Sequence, residues 1–270
     1  MKYESLIIEK TGDLMTVRFN RPKILNALDR KIMLEIKDLL DTLRSDLQTR
    51  FVIFTGEGKA FSSGVEFSRQ AMNDHYDPAL PNERVWQLFG QDFMRAMESL
   101  EQVTIAAVNG PSVGAGMCLA MNCDFRILSE KAFFSVPETA LGLFFTWGAT
   151  PRLTCLIGPA KAKEMIMTCD PVDAQEAWRI GLANKVVPHD QLMPACLELA
   201  QKIRIMGPLA VRICKKQVNA ASVARMADLY PLEPELMEFM MASGQAEEGG
   251  RAFIEKRKPE YKSLQTNIKL

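Results

Sequence analysis

The sequence is short of what a metal or redox site requires. It has two histidines, His75 and His189, and six cysteines at 118, 123, 155, 169, 196 and 214. No two cysteines form a C-x-x-C pair, so no zinc cluster is expected, and the thiols read as reduced and mostly buried. An excess of charge is also missing: 33 basic residues balance 33 acidic ones, which leaves no overall field to attract phosphate backbones or anionic lipid. Nucleic acid is therefore not an expected partner. No G-x-x-x-x-G-K-S/T occurs, and Gly114-x-Gly116 lacks the third glycine of a dinucleotide fingerprint, which sets nucleotide hydride chemistry aside.

An unbroken membrane-length apolar run is absent too. The longest candidate, Val103 to Met121, is interrupted by Asn109, Gly110 and Pro111 and reads as strand, turn and buried helix, with no membrane partner expected. The N-terminal "MKYESLIIEKTGDL" has no long apolar export region and already alternates like a strand, so a cytoplasmic protein is expected. What the chain does have is bulk: 270 residues, 47% of them hydrophobic, suffice for one large domain with or without an appendage.

"SLIIE" and "LMTVRF", separated by Thr11, Gly12 and Asp13, predict an opening hairpin. Asp29 caps a helix whose apolar positions are Ile32, Met33, Ile36, Leu39, Leu40 and Leu43. Further strands are expected at "FVIFTG", "TIAAV", "CDFRIL" and "AFFSV", with helices over 83–100 and from about Gly114. Repetition of strand, turn and helix argues for an α/β fold. Beyond Gly158 the pattern turns almost wholly helical apart from "NKVVP". The division expected is a core over 1–200 and a helical region over 201–270. That tail carries Leu229, Leu232, Leu236, Phe239, Met240 and Met241 and cannot enclose a core alone, so it must pack on the body or on another subunit.

Two glycine-rich turns follow buried strands: "GEGKAFSSGVEF" and "NGPSVGAGMCLA". Either alone is most simply a tight turn. Together, each leading toward a helix, they offer two backbone N–H groups to one point, the geometry of an oxyanion hole.

Five blocks in order, "NRPKILNAL" (20–28), "GEGKAFSSGVEF" (56–67), "AVNGPSVGAGMCLAMNCDFRIL" (107–128), "SVPETALGL" (135–143) and "EEGGRAFIEKRKP" (247–259), resemble the crotonase family, the enoyl-CoA hydratase/isomerase group. The resemblance implies a spiral of β-β-α units with a helical C-terminal region that assembles homotrimers, often paired into homohexamers. It implies an acyl-CoA thioester substrate and no cofactor, coenzyme A being part of the substrate. The thioester oxygen would be held by the N–H groups of Val65 and Ala115, with Ala60 and Phe61 of the 56–67 block beside the substrate.

Hydratases of the family carry two carboxylates. At the first position this chain has Cys118; the second is retained as Glu138, among Val136, Leu141, Phe144 and Phe145. An apolar pocket raises a carboxyl pKa and suits it to carry protons. Taken alone, Glu138 reads as a surface turn residue after proline. Cys118 as a nucleophile has no histidine near it in sequence, and a small buried helix thiol is the commoner meaning. Thr146 stands where other branches place an acid, which argues against them. Phe145 and Trp147 are expected to cap the acyl pocket. Phe253 and Lys256 are the residues the resemblance puts near the CoA nucleotide, or else the exposed face of an amphipathic helix. Asp74 to Asp77 read as a polar stretch near the acyl site, with no chemistry assigned to His75.

The activity expected first is an enoyl-CoA isomerase with one glutamate, then an enoyl-CoA hydratase using that glutamate alone. A CoA-thioester-binding scaffold, or an RNA-binding member with little catalysis, is the reading from a different class.

Overall fold

A computed structural model describes residues 3–66, 83–223 and 233–260. The Asp74–Asp77 stretch, Leu229 and Leu232 lie outside the described residues.

The opening hairpin forms as expected: β1 (Leu6–Thr11) pairs antiparallel with β2 (Leu14–Phe19). From there the chain runs parallel, adding β3 (Phe51–Gly56), β4 (Val103–Val108), β6 (Phe125–Ser129) and β9 (Lys185–Val187) to one six-stranded sheet in the order β1-β2-β3-β4-β6-β9. The near-continuous apolar runs of β3 and β4 follow from burial on both faces. Val52 and Phe54 enter one core with Ala106 and Val108, while Phe51 and Ile53 enter the other with Val103, Ile105 and Ala107.

A second, smaller layer is built from very short segments. β5 (Ser112–Val113) pairs parallel with β7 (Phe133–Ser135), and β7 antiparallel with β8 (Val172–Asp173). Single parallel bridges, Leu28 with Val65 and Ser62 with Ser112, extend this layer backward along the chain. The strands β2, β3 and β4 are thus each followed by a segment in the short layer and then by a helix. β2 leads to Leu28 and α1 (Arg30–Ser45), β3 to 62–65 and α2 (Glu83–Glu98), and β4 to β5 and α3 (Ala115–Met121). This is the β-β-α spiral that the resemblance implied.

Asp29 accepts from the Ile32 N–H at 2.9 Å and so caps α1, whose six predicted apolar positions are all buried. The chain then continues through α4 (Ala149–Ile157), α5 (Pro159–Thr168), α6 (Ala174–Arg179) and α7 (Leu192–Arg204). The stretch after Gly158 is less purely helical than expected, because β8 is two residues long and shows no period to read. The tail forms α8 (Pro208–Val223), α9 (Glu233–Ala242) and α10 (Gln245–Ile254). It is fastened to the body: Lys215 Nζ reaches Asp124 Oδ2 at 2.8 Å and donates to the Gln102 carbonyl at 2.7 Å, and α9 packs on α2.

Candidate active site

The first glycine-rich turn is held by two buried asparagines. The Asn109 side chain accepts from the Gly56 N–H at 3.1 Å and donates to the carbonyls of Gly56 and Gly58, each at 3.0 Å. Asn26 accepts from the Arg21 N–H at 2.9 Å and donates to the carbonyls of Glu57 and Ala60 at 2.9 and 2.8 Å. A short amide side chain matches paired donors and acceptors of a turn that has left its sheet, and burial makes any unmet partner costly. Ser62 Oγ then donates to the Asn26 carbonyl at 2.8 Å and accepts from the Gly64 N–H at 3.2 Å. Asn26, Ser62 and Asn109 were not among the residues the sequence singled out. The available signal was an asparagine directly after an apolar residue, Leu25 before Asn26 and Val108 before Asn109, in the 20–28 and 107–128 blocks.

These bonds deliver Gly64 with φ +90°. Leu28 bridges to this segment by donating to the Gly64 carbonyl at 2.7 Å and accepting from the Glu66 N–H at 3.0 Å. N–H groups alternate sides along an extended chain, so the Val65 N–H faces away from Leu28. On the second turn, Gly114 donates to the Ser135 carbonyl at 2.9 Å and adopts φ +50°, ψ −119°, which brings in Ala115 as the first residue of α3. The opening N–H groups of a helix have no partner within it. No described residue accepts a hydrogen bond from the N–H of Val65 or of Ala115.

The two turns touch. A Cβ placed on Gly64 would lie 3.5 Å from the Ala115 nitrogen and 2.8 Å from the Val113 carbonyl oxygen. A Cβ on Gly114 would lie 2.7 Å from Glu138 Oε1. The carboxylate and the Ala115 donor therefore meet at one glycine, and both glycines are required by close approach as well as by φ.

Glu138 opens a short 3-10 turn (Glu138–Leu141). Its Oε2 is buried and has no hydrogen-bond partner among the described residues. Burial pushes its carboxyl up to about 7, because the charged form has lost water and gained no compensating charge. A surface turn residue would show neither property. A carboxyl pushed up to about 7 beside the N-terminal N–H of α3 can move protons at a carbon whose neighbouring carbonyl oxygen takes up charge.

The remaining candidates fall in three places. Cys118 is buried one turn along α3, its N–H donating to the Gly114 carbonyl at 3.0 Å. Ala60 and Phe61 are fully buried. The Phe61 ring stands edge-on to Phe19 at 5.3 Å and its N–H donates to the Pro111 carbonyl, so both residues also hold the turns in place. Phe145 and Trp147 lie in the larger core, with the Trp147 indole against Gly90 of α2, where an added Cβ would come within 2.1 Å of the ring nitrogen. Phe253 and Lys256 are exposed at the end of α10 and just beyond it. Among the described residues, no cluster of three or more His, Cys, Asp or Glu stands ready for a metal, and no helix is long and apolar enough to cross a membrane.

Comparison with known proteins finds relatives over most of the chain. The sequence profile of the enoyl-CoA hydratase/isomerase family matches residues 9–265. A crotonyl-CoA hydratase of Syntrophomonas wolfei subsp. wolfei is 38% identical over 97% of this chain and 99% of its own length. Among solved structures, an enoyl-CoA hydratase from Mycobacterium avium subsp. paratuberculosis superimposes with a TM-score of 0.85 at 25% identity, covering 97% of this chain and 100% of that one. A monofunctional enoyl-CoA isomerase from M. smegmatis gives a TM-score of 0.68 at 31% identity, covering 81% of this chain and 93% of that one.

Proposed function

The chain belongs to the enoyl-CoA hydratase/isomerase family, and within it we propose that this enzyme shifts a carbon–carbon double bond in an acyl-CoA thioester. The observation that carries the reading is the carboxylate of Glu138, its Oε2 buried and unpartnered among the described residues, with Cys118 one turn along α3 from the glycine it touches. Glu138 removes a C2 proton from a β,γ-enoyl-CoA. The charge that moves onto the thioester oxygen is met by the N–H groups of Val65 and Ala115, and Glu138 returns the proton at C4. Two preorganised donors favour the enolate because they need no rearrangement as charge develops. Coenzyme A enters as part of the substrate, and the scheme asks for no cofactor.

A second reading, hydration of an α,β-enoyl-CoA with Glu138 alone, is favoured by the names of the relatives, the 38% identical protein being a crotonyl-CoA hydratase. Hydration is best served by two carboxylates, one accepting the water proton while the other supplies a proton to C2. A thiol is a weaker acceptor, whereas shuttling one proton between C2 and C4 needs only one carboxylate.

Assay of the purified protein on paired α,β- and β,γ-enoyl-CoA substrates separates the two. Isomerisation is expected to exceed hydration. Cys118→Glu should raise the hydration-to-isomerisation ratio, and Cys118→Ala should leave isomerisation largely intact. Faster hydration in the wild type would transfer the assignment to the hydratase. Loss of all turnover in a folded Cys118→Ala would make the thiol a participant and end the one-glutamate scheme.

The assembly is proposed to be a homotrimer or homohexamer. Ile205, Met206, Leu209, Ile213 and Val218 are all exposed on one protomer, more apolar surface than a short helical tail leaves to water without use. Sedimentation at micromolar concentration should give three or six copies; a stable monomer would count against both.

A further inference from the structure

The turn that carries Glu138 is gripped from two sides by residues outside the site. On one side lies α10. Gly249 sits inside that helix, where glycine is a poor helix former, and a Cβ built there would fall 2.2 Å from the Leu141 carbonyl oxygen and 2.3 Å from its carbon. Reciprocally, Gly142, at φ +69°, would drive a Cβ to 2.4 Å from the Gln245 carbonyl oxygen. Gln245 and Gly249 are four residues apart and so share a face of α10, and the turn lies along that face, backbone against backbone. On the other side lies α5. Thr139, next to Glu138, donates its hydroxyl to the Ile166 carbonyl at 2.7 Å, and its oxygen lies 2.9 Å from Cys169 Sγ.

We propose that Gly249 and Thr139 are positioning residues for Glu138: α10 and α5 together fix the 138–142 turn so that the carboxylate stays against Gly114 and the Ala115 N–H. The inference rests on the proposed role of Glu138 and extends it, because the position of the proton carrier is then set from the C-terminal helical region. The carboxylate gets its place from the packing of its turn: its Oε2 is held by no hydrogen bond among the described residues, and the backbone hydrogen bond it does accept comes from Glu138 itself. A shift of the turn by a fraction of the space a methyl group needs would carry the carboxylate off the reacting carbon.

Gly250 supplies the control. It is the next residue on the same helix, and an added Cβ there meets nothing within 4 Å. Both glycine-to-alanine changes raise helix propensity equally, but only the one at 249 collides with the turn.

The experiment compares Gly249→Ala with Gly250→Ala, and Thr139→Val with Thr139→Ser, on the paired four-carbon enoyl-CoA substrates, with circular dichroism to verify folding. Gly249→Ala and Thr139→Val should lower kcat roughly 100-fold, the scale of a misplaced catalytic group, with KM little changed. The acid-side midpoint of their pH profiles should fall below about 7 as the displaced carboxyl regains water. Gly250→Ala should match the wild type, and Thr139→Ser should restore most of what Thr139→Val loses. Either test variant behaving as its control, in kcat and in pH midpoint, overturns the inference. If Gly249→Ala does not fold, the Thr139 pair decides alone. Glu138→Gln, run in parallel, separates two failures: if it keeps turnover the role of Glu138 falls, whereas if it loses turnover while the test variants match their controls, only the positioning inference falls.

Discussion

Glu138→Gln is expected to lose about three orders of magnitude in turnover while still binding CoA thioesters, the scale of removing a group that both accepts and returns a proton. The amide has nearly the same shape and leaves the turn and the two backbone donors untouched, so a loss confined to kcat isolates proton transfer. Wild-type turnover should rise with pH through about 7, where Glu138 ionises, and the variant should lose that limb. The same substitution should make the protein more stable in neutral and alkaline solution. The folded-state pKa is raised above the ordinary 4.5, so the cost of burying the charge is absent below that pH, grows as pH climbs, and is complete above about 7. Relief of that cost should add on the order of 3 kcal/mol at pH 8 and nothing at pH 4. Near-normal turnover in a folded variant would remove Glu138 from the mechanism; an unchanged melting temperature at pH 8 would mean that the carboxylate is well solvated.

Gly114→Ala should be nearly as damaging by a different route. At φ +50° and ψ −119° the backbone sits where side chains are rarely tolerated, and the new methyl carbon would come within 2.7 Å of Glu138 Oε1. Relief of either conflict moves the Ala115 N–H, the carboxylate, or both. Turnover should fall by at least about two orders of magnitude, the size of losing one oxyanion donor. Stability should drop by about 1–3 kcal/mol from backbone strain. Gly12→Ala is the matched comparison: φ is +61° in the opening hairpin turn, but a Cβ there meets nothing within 4 Å. It should show a strain penalty and no kinetic one. If both glycine variants kept normal turnover, the meeting of donor and carboxylate at Gly114 would have no catalytic meaning.

The hairpin strands and α1 were legible in the sequence because each repeats a period over enough residues to be seen, and β3 and β4 because each is a near-continuous apolar run closed by turn residues. The short layer was legible only at β7, expected at "AFFSV". Its segments at Leu28, Ser62, Val65 and Val172–Asp173 are one or two residues long, too brief for any alternation, and they exist only because the spiral lays them side by side. Glu138 was found through resemblance to family blocks, since an acid after proline reads as a solvent-facing turn until the helices that cover it are in place. Asn26, Asn109, Thr139 and Gly249 were missed for a common reason. The bond from Asn109 to Gly56 spans 53 residues and that from Thr139 to Ile166 spans 27, so nothing near either residue announces its partner.

In the proposed scheme Val65 and Ala115 each contribute a peptide N–H, which every substitution but proline retains. A mutational scan that truncates side chains would therefore record little at these two positions and a sharp loss at the neighbouring Gly64 and Gly114, whose only side-chain atom is hydrogen. A map of tolerance drawn from such a scan would be displaced by one residue from the chemistry. The half-buried side chain at 65 is correspondingly freer to vary than the buried Ala115, while the peptide groups at both positions pass unaltered through any substitution but proline.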